Sequence, residues 1–123
     1  MSKAARSLFV FGLYLIVIGL GFLVMPNLVL RLFGFPETSE PWIRVMAMLL
    51  LFLAYYYIFA SRNEMTEFIR ITVYVRASVI LFFAAFVLLD LAQPMLLLFG
   101  AVDLVAAIWT WLSLRQSQSS PSM

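Results

Sequence analysis

The sequence predicts an all-α fold: an integral membrane four-helix bundle, up-down-up-down, with a short interfacial helix between helices 1 and 2. Three observations lead there. Apolar residues are 65% of the chain and charged residues 11%, where soluble domains run at about 45–50% and about a quarter. Mean hydropathy is +1.06. The charges leave four long apolar stretches, each near the roughly 20 residues of helix that cross a hydrocarbon core.

The first span, about 7–26, is twenty residues without a charge, preceded by Lys3 and Arg6. It is longer than the roughly 7–15-residue core of a signal peptide and no A-x-A site follows, so a retained helix is expected. Gly12 and Gly19 lie seven apart, on one face. Glycines there either admit a second backbone closely or are merely tolerated facing lipid. Pro26 closes the span. Asn27 to Phe33 reads as the interfacial helix, with Arg31 toward water and Gly34 and Pro36 ending it. In the polar loop from Pro36 to Pro41, Ser39 is the expected N-cap of the second span.

That span, about 42–60, opens with Trp42 at headgroup level and with Arg44 close enough to the boundary to snorkel. Tyr55, Tyr56 and Tyr57 point in three directions around a helix and read as part of an aromatic belt. A tight turn over Ser61 to Glu64 follows, with Ser61 or Asn63 as the cap of the third helix and Glu64 and Glu67 in its first turn. The third span is about 67–89 and the fourth about 94–114, the latter opened by Pro94. Residues 1–116 form one domain, and 117–123 read as a disordered polar tail. The short turns predict that spans two and three, and three and four, are antiparallel neighbours. Lys3, Arg6, Arg62, Arg70 and Arg115 then share the side of the termini, against Arg31 and Arg44 opposite. The positive-inside rule places both termini in the cytoplasm.

Composition excludes much chemistry. With no cysteine and no histidine, disulfides, the usual haem and zinc ligand sets and the commonest general base are absent. No phosphate loop, nucleophile elbow or carboxylate cluster occurs. No catalytic residue, metal or cofactor is therefore expected. The basic residues are scattered singly, so nucleic acid is not expected as a partner.

The informative residues are charges inside the spans. Only thirteen residues, Ala77 to Leu89, separate Arg76 from Asp90. The third crossing must begin upstream and carry Arg76 in with it, which is costly without a partner or an escape. Arg76 falls roughly 9 Å beyond Arg70, and Asp103 roughly 18 Å inside Arg115. Gly100, Asp103, Ala107 and Thr110 form a stripe of small residues, the mark of a helix contact surface in membranes. Arg76 and Asp103 are thus a candidate intramembrane polar pair, for ligand binding or for structure, with Arg44, Tyr55, Thr72, Tyr74 and Thr110 as candidate supporting residues. Three readings stay open: the two satisfy each other or nearby groups, they line a polar pocket, or Arg76 snorkels while Asp103 is protonated. Replacing either is expected to destabilise the chain.

The layout resembles the DoxX-like group of small bacterial four-helix membrane proteins. The matching features are Arg6 before a first helix bearing Gly12 and Gly19, the Pro26-to-Phe35 stretch, and the last-helix acid among small residues (Gly100, Asp103, Ala107). The resemblance implies an inner-membrane bundle, sometimes an accessory subunit beside quinone-linked redox enzymes, and carries over no catalytic residue. The function expected is a non-catalytic accessory or interaction subunit in the bilayer, beside a membrane partner or as a homo-oligomer. The alternative is a binder or carrier of a lipid-like or quinone-like molecule at Arg76 and Asp103.

Overall fold

A computed structural model describes residues 1–119. Five helices account for nearly all of it: α1 (Lys3–Val24), α2 (Pro26–Leu32), α3 (Trp42–Arg62), α4 (Thr66–Leu88) and α5 (Leu96–Ser119). Four of them are long and apolar enough to cross a membrane, and α2 is the short connector between the first two. Each long helix starts within four residues of the span read from the sequence. At the C-terminus α5 runs on to Ser119, into the stretch read as a disordered tail; the rest of that tail lies outside the described residues.

The helix ends differ from expectation in an instructive way. Ser2 caps α1, its hydroxyl accepting from Ala5 N at 3.1 Å. The capping roles assigned to Ser39, Ser61 and Asn63 are not found: Pro41 and Met65 precede α3 and α4, and neither supplies a side-chain cap. Ser61 Oγ donates back to the Tyr57 carbonyl at 2.7 Å and Asn63 Nδ2 to that of Phe59 at 2.8 Å, so both finish α3 instead of starting α4. Glu67 does lie in the first turn of α4, while Glu64 stays in the connection. Pro94 and Met95 form a turn just ahead of α5.

Three helices stop by one device, a left-handed residue whose neighbours bond back six-to-one. It occurs at Gly34 (φ 77°), Glu64 (φ 50°) and Asp90 (φ 63°). Phe35 N, Met65 N and Leu91 N reach the carbonyls of Leu30, Ala60 and Phe86 at 2.8, 3.0 and 2.8 Å. These are Schellman stops, and two of them use an acid where glycine is usual.

Neighbour choice is the main correction to the sequence reading. The short turns predicted α3 beside α4, yet these two share little contact beyond the Tyr57–Phe68 ring pair next to their connection. The other predicted neighbours, α4 and α5, do pack together, while α1 packs on α3 and also touches α5. The glycines explain the choice. A Cβ on Gly12 would lie 2.9 Å from Ile58 Cγ1, and one on Gly19 2.9 Å from Leu51 Cδ2 and 3.3 Å from the Ala47 carbonyl. A Cβ on Gly100 would lie 2.7 Å from Ile80 Cδ1. The glycines are therefore sites of close helix approach, α1 to α3 and α5 to α4. In each pair residue numbers rise along one helix as they fall along the other, so both pairs run antiparallel.

The core has two parts. One, toward the termini, joins Leu8, Phe11, Tyr57, Ile69, Ala107 and Leu114 from all four long helices. The other, Phe22, Leu30, Ile43 and Ala47, closes the opposite end under α2. Apolar side chains such as Val17 of α1, Leu49 of α3, Leu81 of α4 and Val105 of α5 are exposed outward. The long helices are thus apolar on their outward faces as well as in the core.

Candidate functional site

Arg76 is buried to 2% exposure, the largest side chain so enclosed. It sits on the α4 face that also carries Ile69, Thr72 and Val73, and α5 and α1 close over it. Nη2 donates to Thr110 Oγ1 at 2.8 Å and to Thr72 Oγ1 at 3.2 Å, and Nε to the Thr72 carbonyl at 3.3 Å. The guanidinium carbon lies 4.9 Å over the ring of Phe11, a contact that strengthens where water is excluded.

The network continues into α1. Thr110 Oγ1 and Ser7 Oγ are 2.6 Å apart and fully buried. Ser7 also faces the Ala4 carbonyl at 2.7 Å and Thr110 that of Ala106 at 3.1 Å. Each hydroxyl has one proton. Either Thr110 donates to Ser7 and Ser7 to Ala4, or Ser7 donates to Thr110 and Thr110 to Ala106. In both orders Thr110 keeps a lone pair for Arg76. Three helices are thereby pinned at one level by neutral acceptors, and one donor remains unserved: Nη1 of Arg76 is buried without a partner.

Asp103 is not that partner. The two charges lie within electrostatic reach, yet among the described residues no ion pair within 4.0 Å joins them. Asp103 is half-buried on the predicted stripe, with Gly100, Ala107 and Thr110 all buried. Its surroundings are a cleft of about 270 Å³ that opens between the α1–α3 pair and the α4–α5 pair. Ile18 and Phe22 of α1, Met46 and Leu50 of α3, and Phe83 and Phe99 opposite give it apolar walls. Tyr14 and Asp103 are its polar residues at the inner end. A wider groove of about 390 Å³ runs along the outside of α1 and α5; it is shallow and almost wholly apolar.

Of the expected supporting residues, Thr72 and Thr110 meet Arg76 and the others do not. Tyr55 and Tyr74 are 67% and 68% exposed and point away from the interior. Arg44 lies at the far end, its Nε donating to the Leu23 carbonyl at 3.0 Å. Within the tyrosine triplet Tyr55 and Tyr56 are exposed, whereas Tyr57 is 4% exposed and packs on Phe11, ring centres 5.9 Å apart.

Sequence reasoning passed over Ser7 and Tyr14, though a signal was available. They are the only hydroxyl-bearing residues of the first apolar run and lie seven apart, as do Asp103 and Thr110. On antiparallel helices equal spacings come into register: Ser7 meets Thr110, and Tyr14 shares the cleft with Asp103. Among the described residues no group of acids is placed to hold a metal ion. No family model, curated protein or solved structure matches the chain.

Proposed function

We propose that the chain crosses a membrane four times, up-down-up-down, and holds an amphiphilic molecule, lipid-like or quinone-like, in the cleft between its two helix pairs. The observation that carries this reading is the cleft itself: apolar walls contributed by all four long helices, ending at one carboxyl and one phenol. Small-molecule sites have this character, a greasy enclosure with few polar groups that fix orientation. Their volumes run from roughly 300 to 1,000 Å³. A cleft of about 270 Å³ therefore suits a polar head and the first part of a chain, the remainder passing into the bilayer. The head group lies against Asp103 and Tyr14. Arg76 does not line the cleft, so the head group is read against Asp103 and Tyr14 alone.

Charge supports the orientation. Lys3, Arg6, Arg62, Arg70 and Arg115 belong to the end where Ser2 N donates to Glu64 Oε1 at 2.6 Å, and only Arg31 and Arg44 to the other. Five basic residues against two favour cytoplasmic termini in an inner membrane. At the far end Arg31 pairs with Glu37 at 3.0 Å, both exposed, which suits α2 lying at the interface. A place among DoxX-like proteins rests on layout alone.

Native mass spectrometry from mild detergent tests the reading. The wild-type chain is expected to retain a small-molecule adduct, and Met46→Trp, which fills the cleft, to lose it. An adduct-free wild type that co-purifies with a larger complex would establish the accessory-subunit role instead. An adduct surviving both Met46→Trp and Asp103→Leu would place the ligand elsewhere.

A further inference from the structure

We propose a second site, for the phosphate of an anionic phospholipid, in the groove between α4 and α5 at the end that carries the termini. The groove measures about 180 Å³ and is lined by Arg70, Val73 and Tyr74 of α4 and Trp111, Leu114 and Arg115 of α5. Two guanidiniums from neighbouring helices thus flank one opening. Arg31 is paired with Glu37, and Arg44 is spent on a backbone carbonyl. Arg115 stacks over Trp111, its Cζ 4.8 Å from the ring, and among the described residues no carboxylate comes within 4.0 Å of it. Arg70 shares Nη1 with the exposed Glu67, so the groove keeps one uncompensated positive charge.

The rest of the groove suits a lipid. Val73 and Leu114 are buried and give an apolar floor for the first acyl carbons, while Tyr74 and Trp111 are exposed at its rim. Planar guanidinium forks match phosphate geometry, and basic pockets between membrane helices take anionic head groups. The stack on Trp111 holds the Arg115 fork beside the groove before any lipid arrives. The inference rests on the transmembrane reading and is independent of what occupies the cleft.

The test titrates the detergent-solubilised chain with phosphatidylglycerol or phosphatidylcholine and counts adducts by native mass spectrometry, following the melting temperature of every variant. One phosphatidylglycerol is expected to bind at concentrations where phosphatidylcholine does not. Each arginine near a lipid surface contributes about fivefold, so R70Q/R115Q is expected to weaken binding about 25-fold. Should the double variant not fold, R115Q alone, at an exposed position, is expected to weaken it about fivefold. R31Q/R44Q and Met46→Trp are expected to bind as wild type, the latter separating this site from the cleft. Wild-type binding by folded R115Q, or an equal loss in K3Q/R6Q, would reduce the site to diffuse surface charge. Displacement of the lipid by inorganic phosphate at matched concentration would make it a free-anion site, overturning the lipid assignment.

Discussion

Replacing Arg76 by methionine is expected to leave the fold as stable as before or more so, by up to about 2 kcal/mol, a sign opposite to the one the sequence suggests. The substitution removes one short charged hydrogen bond, to Thr110 at 2.8 Å, two long ones to Thr72 and the contact with Phe11. Charged hydrogen bonds contribute about 1.5–3 kcal/mol when well formed, and a desolvated cation–π contact about 2, so the loss is about 5 kcal/mol. Against it stand the burial of a cation, which costs several kcal/mol, and the orphaned Nη1, about 1–3 more. Nothing left behind is orphaned, because Thr72 keeps the Ile69 carbonyl, Thr110 that of Ala106 and Ser7 that of Ala4. Reversible unfolding in mixed anionic and nonionic micelles, followed by far-ultraviolet circular dichroism, measures the difference. A loss of about 3–5 kcal/mol is the signature of stranding a buried partner. It would mean that Arg76 neutralises Asp103 after all, and the reasoning here would be refuted.

Four other outcomes follow from the same geometry. Thr110→Val, which keeps the guanidinium and takes away its best acceptor, is expected to destabilise by about 2 kcal/mol in the same assay, and by much less in the Arg76→Met background. Asp103→Asn, at a residue without an ion-pair partner, is expected to stay within about 0.5 kcal/mol of wild type in that assay while reducing adduct retention. Gly19→Ala pushes α1 off α3 at the Ala47 carbonyl and is expected to lower stability by about 1–3 kcal/mol by thermal unfolding. Asp90→Gly relieves a left-handed non-glycine residue and is expected to raise it by about 1 kcal/mol in the same thermal assay.

What was legible in the sequence followed from single-helix periodicity. The four apolar helices, the short α2 and the inward stripe of Gly100, Asp103, Ala107 and Thr110 all depend on spacing along one element. The α4–α5 pairing was also read from their short connection; what was missed is the pairing of α1 and α3 and the contacts between particular side chains. Gly12 and Gly19 left open whether α1 has a close neighbour or merely tolerates glycine, and a short connection between α3 and α4 does not oblige them to pack. Tyr55, Tyr56 and Tyr57 are chemically identical in sequence, and only the position of Phe11 selects the third. Arg44 and Tyr74 were drawn in by chemistry that fits a polar site, although their helix faces point elsewhere. Ser7 was read as the edge of a span because small hydroxyls are unremarkable there; its partner, Thr110, lies 103 residues away.

The most direct test of the central claim is photolabelling with a diazirine-bearing lipid analogue, mapped by peptide mass spectrometry. Labels are expected on the outward residues Val17, Leu49 and Leu81 and also on the cleft residues Tyr14, Leu50 and Phe99, the cleft labels alone disappearing in Met46→Trp. Labelling confined to the outward residues, with the cleft peptides blank in the wild-type chain, would contradict it.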